Sequence, residues 1–148
     1  MKHFWTRWMA AGAIAMAACG VAAQGTESAD ALVNAALTAV AQIESGRAGD
    51  LWDEAAPFVK ERFPKDRFAK DMTRSRESFG AVAQRTWAGI TRIRQLDASA
   101  DTPAGLYANV DLSTKLADGR TVFELVSFRQ EGSIWRLTGY IPRQKQDQ

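Results

Sequence analysis

The chain has 148 residues, with 19 lysine and arginine residues, 17 aspartate and glutamate residues and a formal net charge of +2. This length suits a single domain with a real core and is too short for two. The small excess of positive charge gives no argument for a nucleic-acid partner. The single cysteine, Cys19, excludes a disulfide within the chain.

The first 23 residues have the three-part order of a secretory signal. Lys2 and Arg7 carry its positive charge, and an uncharged, Ala-rich run over residues 8–23 ends in small residues. A spanning helix needs about 20 strongly apolar residues, so this run is too short and too weak for a permanent anchor. We expect cleavage after Ala23, which leaves residues 24–148 as a single periplasmic or secreted domain.

A second interpretation of the same segment is a lipoprotein signal. Met16-Ala17-Ala18-Cys19-Gly20 resembles the bacterial lipoprotein cleavage box, although that box prefers Leu where Met16 stands. Lipidation of Cys19 would tether the domain to a membrane, and two or more acyl chains on one residue anchor better than one. We favour ordinary cleavage and keep the lipid anchor as the alternative.

Removal of residues 1–23 would restrict the chemistry open to the protein. The loss of Lys2 and Arg7 leaves 17 basic against 17 acidic residues, and the loss of His3 and Cys19 leaves neither histidine nor cysteine. Histidine acid/base catalysis, cysteine nucleophiles and Cys/His zinc sites are then excluded.

Helical periodicity of apolar residues starts near Asp30 and continues to Ile43, with Ser28 or Asp30 in the cap position and Gly46 as the terminator. This pattern predicts a first helix.

A second helix is expected to open at Gly49-Asp50, with Asp50 as its cap and Asp53 in the position of a capping-box acid. Pro57 falls inside the pattern and should kink or divide that helix, because proline lacks the N–H group and crowds the preceding turn. A third helix is predicted from about Lys65 to Ser78.

After Gly80 the period changes to about 2, and four runs rich in β-branched and aromatic residues follow. The runs are Ala81–Gln95, Leu106–Leu116, Thr121–Arg129 and Ser133–Ile141. Three helices followed by a four-stranded antiparallel meander is an α+β pattern. By analogy with cystatin-like and NTF2-like domains, we expect a curved sheet wrapped around the long first helix.

Five motifs are spread over nearly the whole of residues 24–148. They are Asp50-Leu51-Trp52, Arg76 with Gly80 and Arg85, Pro103–Tyr107, Glu124-Leu125-Val126, and Gly132–Ile141. In order and spacing they resemble the bacterial exported family known as domain of unknown function 4019. The resemblance implies a small exported α+β domain of uncharacterised activity, and it supplies no catalytic residues.

Glu124 is the most informative single residue, because its strand face is otherwise apolar. The residues that share this face are Val122, Val126 and Phe128. If the face is the core, the carboxylate needs a partner. The candidates are Arg76, Arg85 and the hydroxyl group of Tyr140.

Two interpretations of this group remain open. Glu124, Arg76, Arg85 and Tyr140 could bind a small polar ligand in the concavity of the sheet. The structural interpretation is instead a buried ion pair, or a strand whose other face, with Phe123 and Leu125, is the inward one. We favour the structural interpretation, because ion-pair networks perturb charged groups where no site exists.

Two further features have structural explanations. Trp52, Trp87 and Trp135 could form a recognition surface, but core packing is expected for large aromatic residues. The basic stretch Lys60–Arg76 contains interspersed acids, which favours a solvated helix face over a polyanion site and leaves a weak contact with anionic lipid headgroups open. In the last strand, alternation predicts Trp135, Leu137, Gly139 and Ile141 on one face and Arg136, Thr138 and Tyr140 on the other.

The acids Asp97, Asp101 and Asp111 lack calcium-loop spacing, and no phosphate loop or nucleophile elbow is present, so no metal or cofactor is expected. We expect non-enzymatic binding of a small polar ligand or an envelope protein. The alternative is an enzyme that uses Glu124 as general acid or base with Arg76 or Arg85. A homodimer formed through a sheet edge is also possible.

Overall fold

Four helices followed by four strands make up the fold. The computed structural model describes residues 28–145, so the predictions for residues 1–23 and Cys19 lie outside the described residues. The helices are α1 (Ala29–Glu44), α2 (Ala48–Glu54), α3 (Pro57–Arg62) and α4 (Lys65–Glu77). The strands are β1 (Val82–Gln95), β2 (Gly105–Leu116), β3 (Thr121–Glu131) and β4 (Ile134–Arg143). The predicted α+β order is confirmed.

Helix α1 begins and ends at the predicted residues. The Oγ atom of Ser28 accepts a hydrogen bond from the backbone N–H of Ala31 at 3.2 Å, which satisfies one of the free donors of the first turn. Beyond the last turn, Gly46 has a φ of 75°, in the left-handed region that favours glycine. These two signals explain why the sequence predicts this helix well.

The second predicted helix is divided in two by Pro57, so the described residues contain four helices where three were counted. Pro57 is the first residue of α3, a position where its missing N–H costs nothing. The predicted cap is also wrong. Helix α2 starts two residues earlier, at the buried Ala48, so Arg47 is the cap residue and Asp50 lies in the first turn.

The sheet is an antiparallel meander in the order β1-β2-β3-β4. From Ala108 to Leu116 of β2 and from Val122 to Phe128 of β3, every second residue is buried, as alternation requires when one face covers a core. Val110, Leu112, Val126 and Phe128 project from this inner face and join the buried side of α1. Glu124 lies on the same face, so the alternative with Phe123 and Leu125 inward does not hold.

A β-bulge near the middle of β4 changes which residues face the core. Leu137 pairs with Phe128 while Gly139 pairs with Ser127, so Thr138 is an extra residue without a partner on β3. A period-two count cannot detect such an insertion, because it depends on the register with the neighbouring strand.

Because of the bulge, the predicted assignment of residues to the two faces of the last strand is wrong. Leu137 and Tyr140 are both buried in the core, whereas they were expected on opposite faces. Gly139 and Ile141 pair with Ser127 and Leu125, which places them on the outer face, away from Trp135.

Trp52, Trp87 and Trp135 do not share one environment. Trp52 and Trp135 are partly buried against the core, as expected, whereas Trp87 on β1 is 61% exposed. No helix within residues 28–145 has the length and apolarity needed to cross a membrane.

Candidate functional site

Glu124 is completely buried, with a relative exposure of 0%. Both of its carboxylate oxygens accept hydrogen bonds from Arg85, from Nε to Oε2 at 2.8 Å and from Nη2 to Oε1 at 3.0 Å. This two-bond fork is the strongest geometry available to an arginine and a carboxylate. The register places Arg85 on β1, two strands away from Glu124 on β3, so the pair spans β2.

Glu44, the last residue of α1, extends the pair into a network. Arg85 donates to it from Nη1 to Oε2 at 2.9 Å and from Nη2 to Oε1 at 2.6 Å. Arg76 donates from Nε to Oε1 of Glu44 at 2.7 Å. We call Glu44, Arg76, Arg85 and Glu124 the ion-pair network. Two cations and two anions balance in it, so it has no formal net charge.

Arg76 does not bond to Glu124. Its guanidinium group binds Glu44 and donates from Nη1 to the backbone oxygens of Phe79 at 3.0 Å and Gly80 at 3.3 Å. Its carbon Cζ lies 4.5 Å from the centre of the Phe79 ring. Of the two arginines predicted as partners, Arg85 pairs with Glu124 directly and Arg76 is linked to it only through Glu44.

Two buried hydroxyl groups flank Glu124 without hydrogen-bond partners. In the register, Tyr140 and Thr114 are the diagonal neighbours of Glu124 on β4 and β2. Neither hydroxyl oxygen has a partner within the described residues. Burial, together with the nearby charge of Glu124, raises the pKa of the Tyr140 hydroxyl above its ordinary value. The Tyr140 hydroxyl is therefore a neutral neighbour of the network.

The network shifts the pKa values of Glu44 and Arg85. The hydrogen bond from Arg85 lowers the pKa of Glu44, against the opposing effect of burial and with help from Arg76. Burial alone would lower the pKa of Arg85, but its bonds to Glu44 and Glu124 outweigh burial and raise it. All of these directions favour the charged forms that the ion pairs need.

Sequence reasoning missed Glu44. One signal could have found it: an acid in the last turn of a helix is unfavourable beside the partial negative charge of that end. Its presence at the end of α1 therefore indicates a nearby cation that offsets the cost. Arg76 and Arg85 are the cations that do so.

Part of the network borders a surface cleft. A cleft of about 320 Å³ is lined by Glu44 and Arg76 together with Thr73 and Glu77, but not by Glu124 or Arg85. Residues 28–145 contain no group of three or more acidic, cysteine or histidine side chains arranged to hold a metal ion. The arrangement can hold α1, α4 and the sheet together, and Arg85 engages both oxygens of Glu124.

The basic stretch Lys60–Arg76 is largely paired with acids. The ion pairs are Arg62–Asp101, Lys65–Asp53, Arg67–Asp71 and Arg76–Glu44. The first three of these pairs are exposed and contribute little to stability. They do reduce the positive potential that a polyanion would require.

The comparison with protein families identifies one match. Residues 35–140 match the family model described as "Protein of unknown function (DUF4019)". The match covers more than half of the chain and contains all four members of the ion-pair network. No curated protein and no solved structure matches the chain.

Proposed function

Since the chain belongs to the family described as protein of unknown function (DUF4019), we propose its role from its own geometry: an exported domain that binds a partner without catalysing a reaction. The carrying observation is the state of Glu124. A general acid or base must exchange a proton with a bound molecule. The carboxylate of Glu124 is completely buried, and Arg85 occupies both of its oxygens. A structural role for the ion-pair network is therefore the better explanation.

Export is part of this proposal. The order of charged, apolar and small residues over residues 1–23 supports cleavage after Ala23 and a location in the periplasm or outside the cell. Intact mass spectrometry of the processed protein should give a chain that starts at Gln24. A chain that starts at a diacylglyceryl-modified Cys19 would establish the lipoprotein alternative instead.

We also propose that the fold is of the cystatin-like or NTF2-like kind, with a curved sheet around α1. The support is the contact of α1 with the inner face of the sheet, where Val40 and Ile43 are buried with Val110 and Val126. A crystal structure with α1 away from that face would contradict this assignment.

The proposal predicts the behaviour of Glu124→Gln. This change leaves the buried guanidinium of Arg85 with one anionic partner, so we expect the free energy of unfolding to fall by about 3 kcal/mol. Asp71→Asn, in the exposed pair with Arg67, is the control and should cost less than about 1 kcal/mol. Urea unfolding of both variants measures the difference.

The same variant tests whether a ligand binds at Glu124 or elsewhere. Any small polar compound that raises the melting temperature of the native protein should raise that of folded Glu124→Gln by the same amount. Loss of that increase would place the ligand on Glu124 and support the alternative pocket. If Glu124→Gln does not fold, Tyr140→Phe changes the neighbouring group without removing a charge and serves in its place.

A further inference from the structure

We propose that the protein binds an uncharged, amphipathic small molecule in a cleft on the outer face of the sheet, beneath α3. This inference rests on the proposed binding function and assigns it a site. We call this site the α3 cleft; its walls and floor include Phe58, Phe63, Tyr107, Asn109, Ser127 and Gly139. Its volume is about 390 Å³, within the range of small-molecule sites.

The floor of the α3 cleft is formed by a row of residues that pair with one another across neighbouring strands. Asn109, Ser127 and Gly139 are paired across β2, β3 and β4, so their positions lie side by side on the outer face. The residues before and after them on β2 and β3, such as Val110 and Val126, face the core. The cleft and Glu124 are therefore on opposite faces of the same strands.

Helix α3, which contributes Phe58 and Arg62 to the lining of the cleft, is held in place at both ends. The backbone N–H of Ala56, before the helix, donates to the backbone oxygen of Leu137 on β4 at 2.9 Å. The indole Nε1 of Trp52 donates to the backbone oxygen of Phe63, after the helix, at 2.7 Å. Such fixed walls reduce the ordering cost of binding.

The polar groups of the floor are available to a ligand. No side-chain hydrogen bond between described residues engages Asn109, Ser127 or Thr138, whereas the Tyr107 hydroxyl is occupied by the backbone oxygen of Pro103 at 2.7 Å. Amide and hydroxyl groups both donate and accept. A ligand with hydroxyl, carbonyl or amide groups suits them.

The walls are apolar and the cleft has no net charge. Phe58, Phe63 and Ile141 line it. Its only charged lining residues, Arg62 and Asp101, pair with each other. Nη2 of Arg62 lies 2.5 Å from Oδ1 of Asp101, and Nη1 of Arg62 donates to the backbone oxygen of Asp101 at 2.8 Å. An anion or a cation would find no unpaired partner there, so the chemistry favours an uncharged molecule.

Gly139 offers a way to fill the cleft without damaging the fold. A Cβ atom built on Gly139 meets no heavy atom within 4 Å, and its φ lies outside the left-handed region. Gly139→Val should therefore occupy the cleft and suit a strand. Gly80→Val is the control, because Gly80 has the same open surroundings and does not line the cleft.

The experiment titrates the isotope-labelled, processed protein with three compounds of similar shape and different charge: 2-phenylethanol, phenylacetate and phenethylammonium. Amide chemical shifts in nuclear magnetic resonance spectra report where each binds. We expect 2-phenylethanol to shift the amides of Asn109, Ser127 and Gly139. We expect both charged compounds to bind at least about fivefold more weakly, since each would lose hydration without gaining an ionic partner. Gly139→Val should abolish the shifts and Gly80→Val should retain them.

Three results would overturn the inference. They are equal or tighter binding of a charged compound, unchanged binding to folded Gly139→Val, and absence of binding by 2-phenylethanol in the millimolar range. Binding of any of the compounds at another surface would leave the proposed binding function intact and refute only the α3 cleft. A ligand whose binding requires Glu124 would instead contradict the structural role proposed for the ion-pair network and support the alternative pocket.

Discussion

At the scale of single residues, the buried polar groups on the inner face of the sheet differ in whether they have hydrogen-bond partners. Glu124 has a partner for each oxygen, whereas the hydroxyl of Tyr140 beside it has none. A buried hydroxyl without a hydrogen bond costs free energy, and a saturated ion pair offsets the cost of its own burial only when its geometry is good.

Tyr140→Phe tests this difference. Removing a hydroxyl that has no partner relieves a desolvation cost, so the free energy of unfolding should stay the same or rise by about 1 kcal/mol. Thermal and urea unfolding measure the change. A decrease of more than about 1 kcal/mol would reveal a hydrogen bond to the Tyr140 hydroxyl, such as one from a buried water molecule.

The lowered pKa of Glu44 predicts how the stability of the protein depends on pH. Its pKa is lowered in the folded protein, chiefly by the hydrogen bond from Arg85, from an ordinary value of 4.5. Its stabilising contribution is thus fully present above pH 4.5. It is lost as the pH falls through the lower pKa that Glu44 has in the folded protein.

Glu44→Gln should be less stable than the native protein at neutral pH, and the difference should shrink on acidification. Unfolding free energies measured in urea from neutral pH to about pH 3 would show this. A constant difference across that interval would contradict the role assigned to Glu44.

The prediction of this site from sequence reached Glu124 and Arg85 because they follow from strand periodicity. Period-two alternation put an acid among apolar residues, and a buried acid requires a cation. The central position of Glu44 was missed, because only the packing of α1 against the sheet brings residues 44 and 85 together.

At the scale of elements, turn and cap residues explain which boundaries were predictable. Ser28 and Gly46 mark α1, and Asp118-Gly119 marks the β2–β3 turn, where Gly119 has a φ of 89°. The bulge at Thr138 has no comparable signal. It reverses the faces of Gly139 and Tyr140, and the α3 cleft could not be foreseen without it.

Gly46 allows a test of the end of α1. A Cβ atom meets nothing within 4 Å at either Gly46 or Gly80, but only Gly46 has a positive φ, of 75°. Gly46→Ala should lower the free energy of unfolding by about 1 kcal/mol through backbone strain. Gly80→Ala should not, because alanine adopts its conformation freely. Equal effects of the two changes in urea unfolding would contradict this explanation.

At the scale of the whole molecule, the two faces of the sheet have different roles. The inner face packs on α1, and the ion-pair network ties it to the ends of α1 and α4. The outer face, together with residues of α3, lines an open cleft with unused amide and hydroxyl groups. Sequence periodicity predicted the layers, but it could not predict a cleft made by residues from α3 and all four strands.

The most direct test of this division is the map of amide chemical-shift changes on addition of 2-phenylethanol. The account predicts changes concentrated at Asn109, Ser127 and Gly139 on the outer face. Changes centred on Glu124 and Arg85 would contradict it.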